Sequence, residues 1–401
     1  MKHALTFLML TLSLLFTVSC TATTAWENPN PDLCVLAADG AHYKCDVTWT
    51  SYFDTTIRLT YYAAKDKPEV NDVFEHIREI LWDYHRLFDK YHPYEGVVGV
   101  YAINADADAL TSSNPVQYGK ITIDQRLFDA LRYGLDQEDA VQDDGVSLFN
   151  IALGPVLAIW HDLRESDACD EFQVLGALVC PSPAPGLFDG PFAIDPSRIV
   201  LNEADRSIAF LVPGMRLDLG GYAKGYVAEI ITDYLDSLDV PYIFNAGASN
   251  VKSGGVNPNS GDGFYTVALT TPKIGLATPG EFFAVVKIAS DLAIVTSGNY
   301  QRYFIGNEDR VVYHHIIDPR TYYPGGDAMA VSVLHEDGAL ADIYSTAVYL
   351  LGLEKGLAFV NATAGLEAIW YLEDGTIVHS DGLNKDTFTY GSSSYPLFTL
   401  K

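Results

Sequence analysis

A chain of 401 residues, 48% of them apolar, with 52 acidic against 25 basic side chains and a formal charge of −27, can bury a large core as one big domain or two closely packed lobes. That charge excludes nucleic acid as a partner, because binding it needs a basic patch that displaces counterions from phosphate. An anionic ligand must instead be met locally, by a lone cation, by backbone N–H groups or by a metal ion, while the remaining acidity serves solubility.

Residues 1–19 have the plan of a secretory signal peptide. Lys2 and His3 precede an apolar stretch from Ala4 to Val18, too short to span a bilayer, which stops at Ser19-Cys20. A cysteine directly after the small residue suggests lipoprotein processing with Cys20 as the lipidated N-terminus; ordinary cleavage nearby is the alternative, since Thr17 stands where leucine is usual. The expected address is outside the cytoplasm, with a lipid anchor in the cell membrane. Apart from Cys20, the cysteines form two local pairs of equal separation, and an even count in an exported chain predicts disulfides Cys34–Cys45 and Cys169–Cys180. Zinc is disfavoured, because neither pair has a short C-x-x-C spacing.

Residues 20–46 read as a tether and N-terminal extension, and 47–401 as the main domain. Strands are expected from Val47 to Ala63. A long helix follows, opened by Asp66-Lys67-Pro68 and carried by Val70, Val73, Phe74, Ile77 and Leu81 to Phe88 at three- and four-residue steps. His76, His85 and His92 on or just beyond it read as surface or cap residues. A second helix covers 124–133. Residues 147–160 read as buried, with a break at Gly154-Pro155, and 162–197 as a disulfide-stapled excursion. Strands at 199–201 and 208–211, a helix at 224–238, and strands at 242–246, 264–271, 282–288, 292–296, 311–317 and 329–334 follow. Helices at 340–351 and 354–362 precede a β end with a hairpin turn at Asp374-Gly375. No segment after the leader reads as long and apolar enough to cross a membrane. Runs of strands interrupted by helices make this an α+β chain.

Four stretches carry chemistry. In 217–231, Asp218 ends an apolar run and Gly220, Gly221 and Gly225 surround Lys224 before helical spacing sets in, so the segment reads as strand, tight turn, helix. Glycines admit a ligand to the backbone and a helix N-terminus attracts phosphate, but no known phosphate-loop pattern is matched and a packing turn accounts for the same glycines equally well. In 341–347, Asp342 and Thr346 stand four apart and share a helix face. Their carboxylate and hydroxyl are hard oxygen ligands suited to Mg²⁺; an N-cap aspartate with a back-bonded threonine is the alternative. In 313–320, strand alternation sends His314 and His315 to opposite faces, so that only one enters a given site as a general base, with Asp318 or another acceptor setting its tautomer. In 296–302, a Ser297-Gly298 turn offers N–H groups to an anion.

Taken in order, Asp-Leu-Gly-Gly-x-Ala-Lys-Gly-Tyr at 218–226, Asn-Ala-Gly-Ala-Ser at 245–249, Thr-Ser-Gly-x-Tyr at 296–300, His-Ile-Ile-Asp-Pro-Arg-Thr at 315–321 and Ala-Asp-x-x-Ser-Thr-Ala at 341–347 resemble the ApbE-type FAD:protein FMN transferases. Phe149 through Gly154-Pro155 to Trp160 resembles that family's buried upstream segment, and the likeness runs from about residue 50 to about 380. The resemblance implies an ApbE-like, T-fold-like architecture of two closely packed lobes of mixed and antiparallel sheet with helices. It implies Mg²⁺-dependent transfer of FMN from FAD to a Thr or Ser hydroxyl of an exported acceptor protein, with release of AMP. Mg²⁺ would be held by Asp342, Thr346 and the Gly221 carbonyl, and His315 would be the base. Tyr91, Phe149, Asn150, Asp218, Lys224, Ser297 and Gly298 would line the FAD site.

The chain departs from the family in three places. Tyr94-Glu95-Gly96 stands where many members have Asp-Ser-Glu, Ser147-Leu148-Phe149-Asn150 where they have Gly-Ala-Phe-Asp, and Gly247-Ala248 where they have a glycine pair. Two other functions remain open: an Mg²⁺-dependent FAD pyrophosphatase giving free FMN and AMP, and a non-catalytic flavin-binding lipoprotein. A flavin acceptor is disfavoured, since the nearest approach to a flavinylation signal, Asp342 to Val348, ends in valine.

Overall fold

The computed structural model describes residues 34–64, 70–109, 118–172, 177–247, 249–275, 281–288, 290–390 and 393–400. The leader, Cys20 and the expected helix start at Asp66-Pro68 lie outside them. Nine strands form one sheet: β1 (Cys34–Leu36), β2 (His42–Tyr52), β3 (Thr55–Ala64), β4 (Tyr242–Ala246), β5 (Asn250–Gly254), β6 (Leu292–Gly298), β7 (Ala330–His335), β8 (Glu367–Tyr371) and β9 (Ile377–His379). Their order across the sheet is their order in the chain, and every neighbouring pair is antiparallel. Because β1 pairs with β2 in register Cys34↔Cys45, the first disulfide staples that edge, and the sheet begins upstream of the expected boundary at residue 47.

The helices are α1 (Val70–Phe88), α2 (Val100–Ala109), α3 (Gln125–Asp136), α4 (Gly154–Arg164), α5 (Ala223–Ser237) and α6 (Gly338–Ala362). Alternation along the strands sorts the core. Leu59 on β3 and Phe244 on β4 face α1, α3 and α5, and Ala293, Val331 and Trp370 face α6. Val251, Ile294 and Ile369 point the other way, onto a second sheet built from Tyr265–Thr270, Phe282–Ile288, Ser393–Leu400 and Leu383–Tyr390. This period of two is what a sheet covered on both faces requires. Each fully buried Phe or Ile, such as Phe74, Ile77 or Phe244, contributes roughly 1.5–3 kcal/mol. The architecture is α+β, as expected.

Several elements differ from their sequence reading. Gly154-Pro155 starts α4 rather than breaking a helix, because proline at the first turn loses no hydrogen bond. Helix α2 has no counterpart in the reading; its buried stripe, Val100, Ile103 and Ala107, is short and is blurred by the alanines on its other faces. The strand expected at 311–317 is only Val312–His314. The two expected C-terminal helices are α6, joined across a kink at Gly352 (φ 75°). By length and composition α6 is apolar enough to cross a membrane, against the expectation. Its burial against the sheet explains that apolarity as a core helix, with Ala341, Ile343, Ala347 and Val348 fully covered.

The second disulfide, Cys169–Cys180, closes a hairpin of Asp170–Phe172 and Ala177–Cys180. Its second strand pairs in parallel with Tyr303–Gly306, which in turn pairs with Val312–His314. Trp160, Phe188, Phe304 and Tyr313 form a small core beneath.

Candidate active site

One end of the main sheet, where β4 and β6 finish and β3 and β5 begin, is left open by the helices. There a cavity of about 390 Å³ is walled by the α5 N-terminus, Asp342 and Thr346 of α6, the middle and end of α4 and the loop after α1. All eleven residues singled out from the sequence line it: Tyr91, Phe149, Asn150, Asp218, Gly221, Lys224, Ser297, Gly298, His315, Asp342 and Thr346.

The wall at 217–225 is set by backbone clamps. Asn104 on α2 grips Leu217 from both sides, its amide donating to the Leu217 carbonyl (3.0 Å) and its oxygen accepting the Leu217 N–H (2.8 Å). The Asp218 N–H donates to the Ile151 carbonyl at 2.9 Å. The segment before the turn is therefore extended, with one bridge from Arg216 to Leu153, and is not the ladder strand expected. The three glycines differ. Gly220 and Gly221 sit on the cavity wall, where an added Cβ would meet Asp218 Oδ1 at 3.0 Å and the Phe149 ring at 3.4 Å. Gly225 is a packing glycine: its Cβ would run into the Gly338 carbonyl oxygen and lie 2.8 Å from the Asp342 Cβ. Where α5 crosses α6, this closeness puts the Gly225 N–H 3.0 Å from Asp342 Oδ2.

Asp342 is 5% exposed. Burial raises its carboxyl above the ordinary range, with the Lys224 ammonium and the Gly225 N–H pulling the other way. Lys224 makes no ion pair among the described residues. Beside Asp342, the Thr346 hydroxyl lies 3.4 Å from Ser297 Oγ, which itself meets Ser345 Oγ at 2.8 Å. Ser297 and Gly298 belong to β6, paired with Val331 and Ala330, and are not the turn expected. No cluster of three or more His, Cys, Asp or Glu side chains forms among the described residues. A cation here would be held by one carboxylate, a hydroxyl and carbonyl oxygens, a donor set that fits Mg²⁺.

Both His314 and His315 line the cavity, against the expectation that only one would, because the strand ends at His314 and alternation ends with it. The His315 N–H donates to the Arg302 carbonyl at 3.0 Å, and Nδ1 lies 3.3 Å from the same oxygen. That carbonyl can only accept, so Nδ1 carries the proton and Nε2 the free lone pair. Asp318 does not take this role: it pairs with Arg320. His315 is an exposed residue on the cavity wall, with its ring crowded on its other sides by protein. Loss of bulk water pushes its pKa down to about 3, with Arg302, His314 and Lys224 adding to the effect, so the ring is neutral at neutral pH. Phe149 meets the Tyr222 ring edge-on at 5.6 Å. The Asn150 side chain is used by the protein itself, donating to the Ile194 carbonyl (2.9 Å) and accepting from the Ala152 N–H (2.7 Å).

A family model described as the ApbE family matches residues 53–370. The chain belongs to the ApbE family. An FAD:protein FMN transferase of Klebsiella pneumoniae is 31% identical over 239 residues, 58% of this chain and 66% of that protein. Another, from Treponema pallidum, is 28% identical over 340 residues, 82% of this chain and 85% of that one. The fold is shared with the ApbE protein of Thermotoga maritima (TM-score 0.66, 22% identity, 85% and 97% of the two chains). It is shared also with the flavin transferase ApbE of Vibrio cholerae (TM-score 0.61, 18% identity, 84% and 98%).

This ApbE-family cavity also holds residues that the sequence reading passed over. Lys90 forms an ion pair with Asp218, and His161 on α4 packs its ring 4.5 Å from that of Tyr91. The loop carrying Lys90 and Tyr91 is fixed by Asp89, which accepts the Tyr91 N–H at 2.6 Å and the Tyr94 hydroxyl at 2.8 Å. His85 Nδ1 accepts the Phe53 N–H at 3.2 Å, so its Nε2–H donates to Tyr94, 3.0 Å away. His85 and Tyr94 thus tie the β2–β3 turn to this loop. His85 is not the surface residue expected.

Proposed function

We propose that this chain is an FAD:protein FMN transferase. The observation that carries this reading is the convergence, in an ApbE-family chain, of residues from five separated motifs on one cavity. The acceptor hydroxyl of a Thr or Ser forms a new O–P bond to the FMN phosphorus. The bond from that phosphorus to the bridging oxygen breaks, AMP leaves with the electron pair, and the hydroxyl proton passes to His315 Nε2. The Arg302 carbonyl holds the ring with the Nε2 lone pair free to take that proton. Lys224, at the α5 N-terminus beside Asp342, supplies the cation that an otherwise acidic protein needs next to a diphosphate. Asp342, Thr346 and the Gly221 carbonyl would hold Mg²⁺, which when bound neutralises charge on the phosphates.

Incubation of the protein with FAD, Mg²⁺ and a candidate acceptor, followed by intact mass, tests the reading. The acceptor gains one FMN if it is right; free FMN with an unmodified acceptor would establish the pyrophosphatase instead, and FAD bound without turnover the non-catalytic carrier. Export and anchoring through Cys20 belong to the same proposal. The two disulfides suit an oxidising compartment, where an exported acceptor would be met. Replacing Cys20 by Ala should release the protein from the membrane fraction; unchanged membrane attachment would remove Cys20 as the anchor.

A further inference from the structure

The cavity has two positively charged poles. One is the Lys224 end, where the Lys224 charge acts on both His315 and Asp342 and Arg302 acts on His315. The other is Lys90, with Asp218 behind it and two aromatic rings beside it. Its ammonium lies 4.9 Å from the Tyr91 ring centre, and Tyr91 packs on His161 at 4.5 Å with 33° between the planes. His161 Nδ1 is buried without a partner among the described residues.

Within the Lys90–Asp218 pair the two members are unequal. The Asp218 side chain is 6% exposed and that of Lys90 23%. Both carboxylate oxygens are engaged, Oδ1 by the Gly220 N–H at 2.8 Å and Oδ2 by Lys90. The open member facing the cavity is therefore the ammonium, which gives one hydrogen to Asp218 and one to the Tyr91 hydroxyl and keeps a third to spare.

Resting on the reading that this cavity takes FAD, we propose that Lys90 is a further ligand-binding residue, donating to an acceptor atom of one of the two heteroaromatic rings of the dinucleotide, with Asp218 as its positioning residue. The Lys224 pole, with its hard oxygen ligands, suits the diphosphate; the Lys90 pole, with its rings, suits a planar aromatic end whose edge carries oxygen or nitrogen acceptors. Burial is the largest influence on the Lys90 ammonium and lowers its pKa, but the Asp218 and Tyr91 charges and the hydrogen bonds to both together outweigh it and raise the pKa above the ordinary value. Asp218 then acts on the ligand through Lys90.

FAD titration followed by flavin fluorescence, on the full chain and on Lys90→Met, Asp218→Asn, the double variant and Lys90→Arg, tests this, with thermal melts to establish folding. Lys90→Met should weaken FAD binding about tenfold, the scale of one charge-assisted hydrogen bond, and Lys90→Arg should keep most of the affinity. Asp218→Asn should weaken it less, and the double variant should bind no better than Lys90→Met. If the pair is merely structural, removing both ends relieves the unpaired buried charge left by either single change and the double variant recovers; that recovery, or a folded Lys90→Met with unchanged affinity, overturns the proposal. Competition by FMN and by ADP assigns the ring: the competitor whose affinity falls in Lys90→Met carries it, and if neither falls the proposal fails. A wild-type chain that binds no FAD would remove the dinucleotide reading and this inference with it.

Discussion

The two ends of the cavity are built by different means. At the Asp342 end two helices cross with no side chain between them at Gly225, and the carboxylate is fixed by a backbone N–H. At the Lys90 end a loop is tied down by polar side chains, Asp89 and Tyr94 within it and His85 and Asp218 from outside it. The first is fixed by packing, which fails steeply when volume is added. The second is fixed by hydrogen bonds, each worth about 1 kcal/mol net, and loosens by increments.

The largest effect is expected from Asp342→Ala, which should abolish metal-dependent release of AMP while the protein stays folded; persistent turnover would mean the cation is held elsewhere. His315→Ala should slow transfer on the order of 10²–10⁴-fold with a much smaller change in FAD affinity, measured by single-turnover kinetics beside a binding titration. Gly225→Ala should destabilise the chain by about 1–3 kcal/mol, read as a fall in the urea midpoint, because the new methyl meets backbone on α6. A comparable loss from an alanine at Gly220, which borders open cavity, would erase the distinction between the two glycines.

Glu138 lies behind the Phe149–Ile151 wall, 7% exposed, with Oε1 accepting the Ile151 N–H at 2.9 Å and Oε2 unpartnered among the described residues. Burial pushes its pKa up to about 8 from an ordinary 4.5. Between those values the folded state keeps a proton that the unfolded chain has lost. Stability is therefore full below pH 4.5 and falls as the pH rises towards 8, by on the order of 5 kcal/mol. Glu138→Gln should flatten that slope in urea melts at pH 5 and pH 8; an unchanged slope would show that the carboxyl ionises freely. The smallest effect is expected from Tyr94→Phe. It removes one hydroxyl shared by Asp89 and His85, should cost about 1 kcal/mol, and should speed hydrogen exchange in the loop at 89–94 while leaving α5 and α6 protected.

The same contrast governs how much could be read from the amino-acid order. The Asp342 end is written in contiguous motifs, since a helix N-terminus and an i, i+4 pair place their own side chains. The Lys90 end depends on pairs far apart in the chain, Lys90 and Asp218 being 128 positions apart, and no local pattern announces such a pair. Long amphipathic elements such as α1 were legible from their spacing. Helix α2 was not, because Ala and Asp alternate along its second half, although Val100, Ile103 and Ala107 enter the core and Asn104 holds Leu217. Gly225 looked like a partner of the phosphate turn because a glycine's neighbours across space are invisible in sequence. The pairing of the hairpin at Cys169–Cys180 with Tyr303–Gly306 was hidden for the same reason.

The order of strands in the main sheet has a consequence for how the chain is made. Because each strand's partner is the next one synthesised, most edges are covered soon after they emerge, but β3 must wait for β4 across residues 65–241, 177 of them. At roughly 5–20 residues per second that is about 10–35 seconds, during which an apolar strand edge carrying Ile57, Leu59 and Tyr61 has no partner. Slowing elongation within residues 65–241 should therefore lower the soluble yield more than slowing it after residue 298, by when six of the nine strands are in hand.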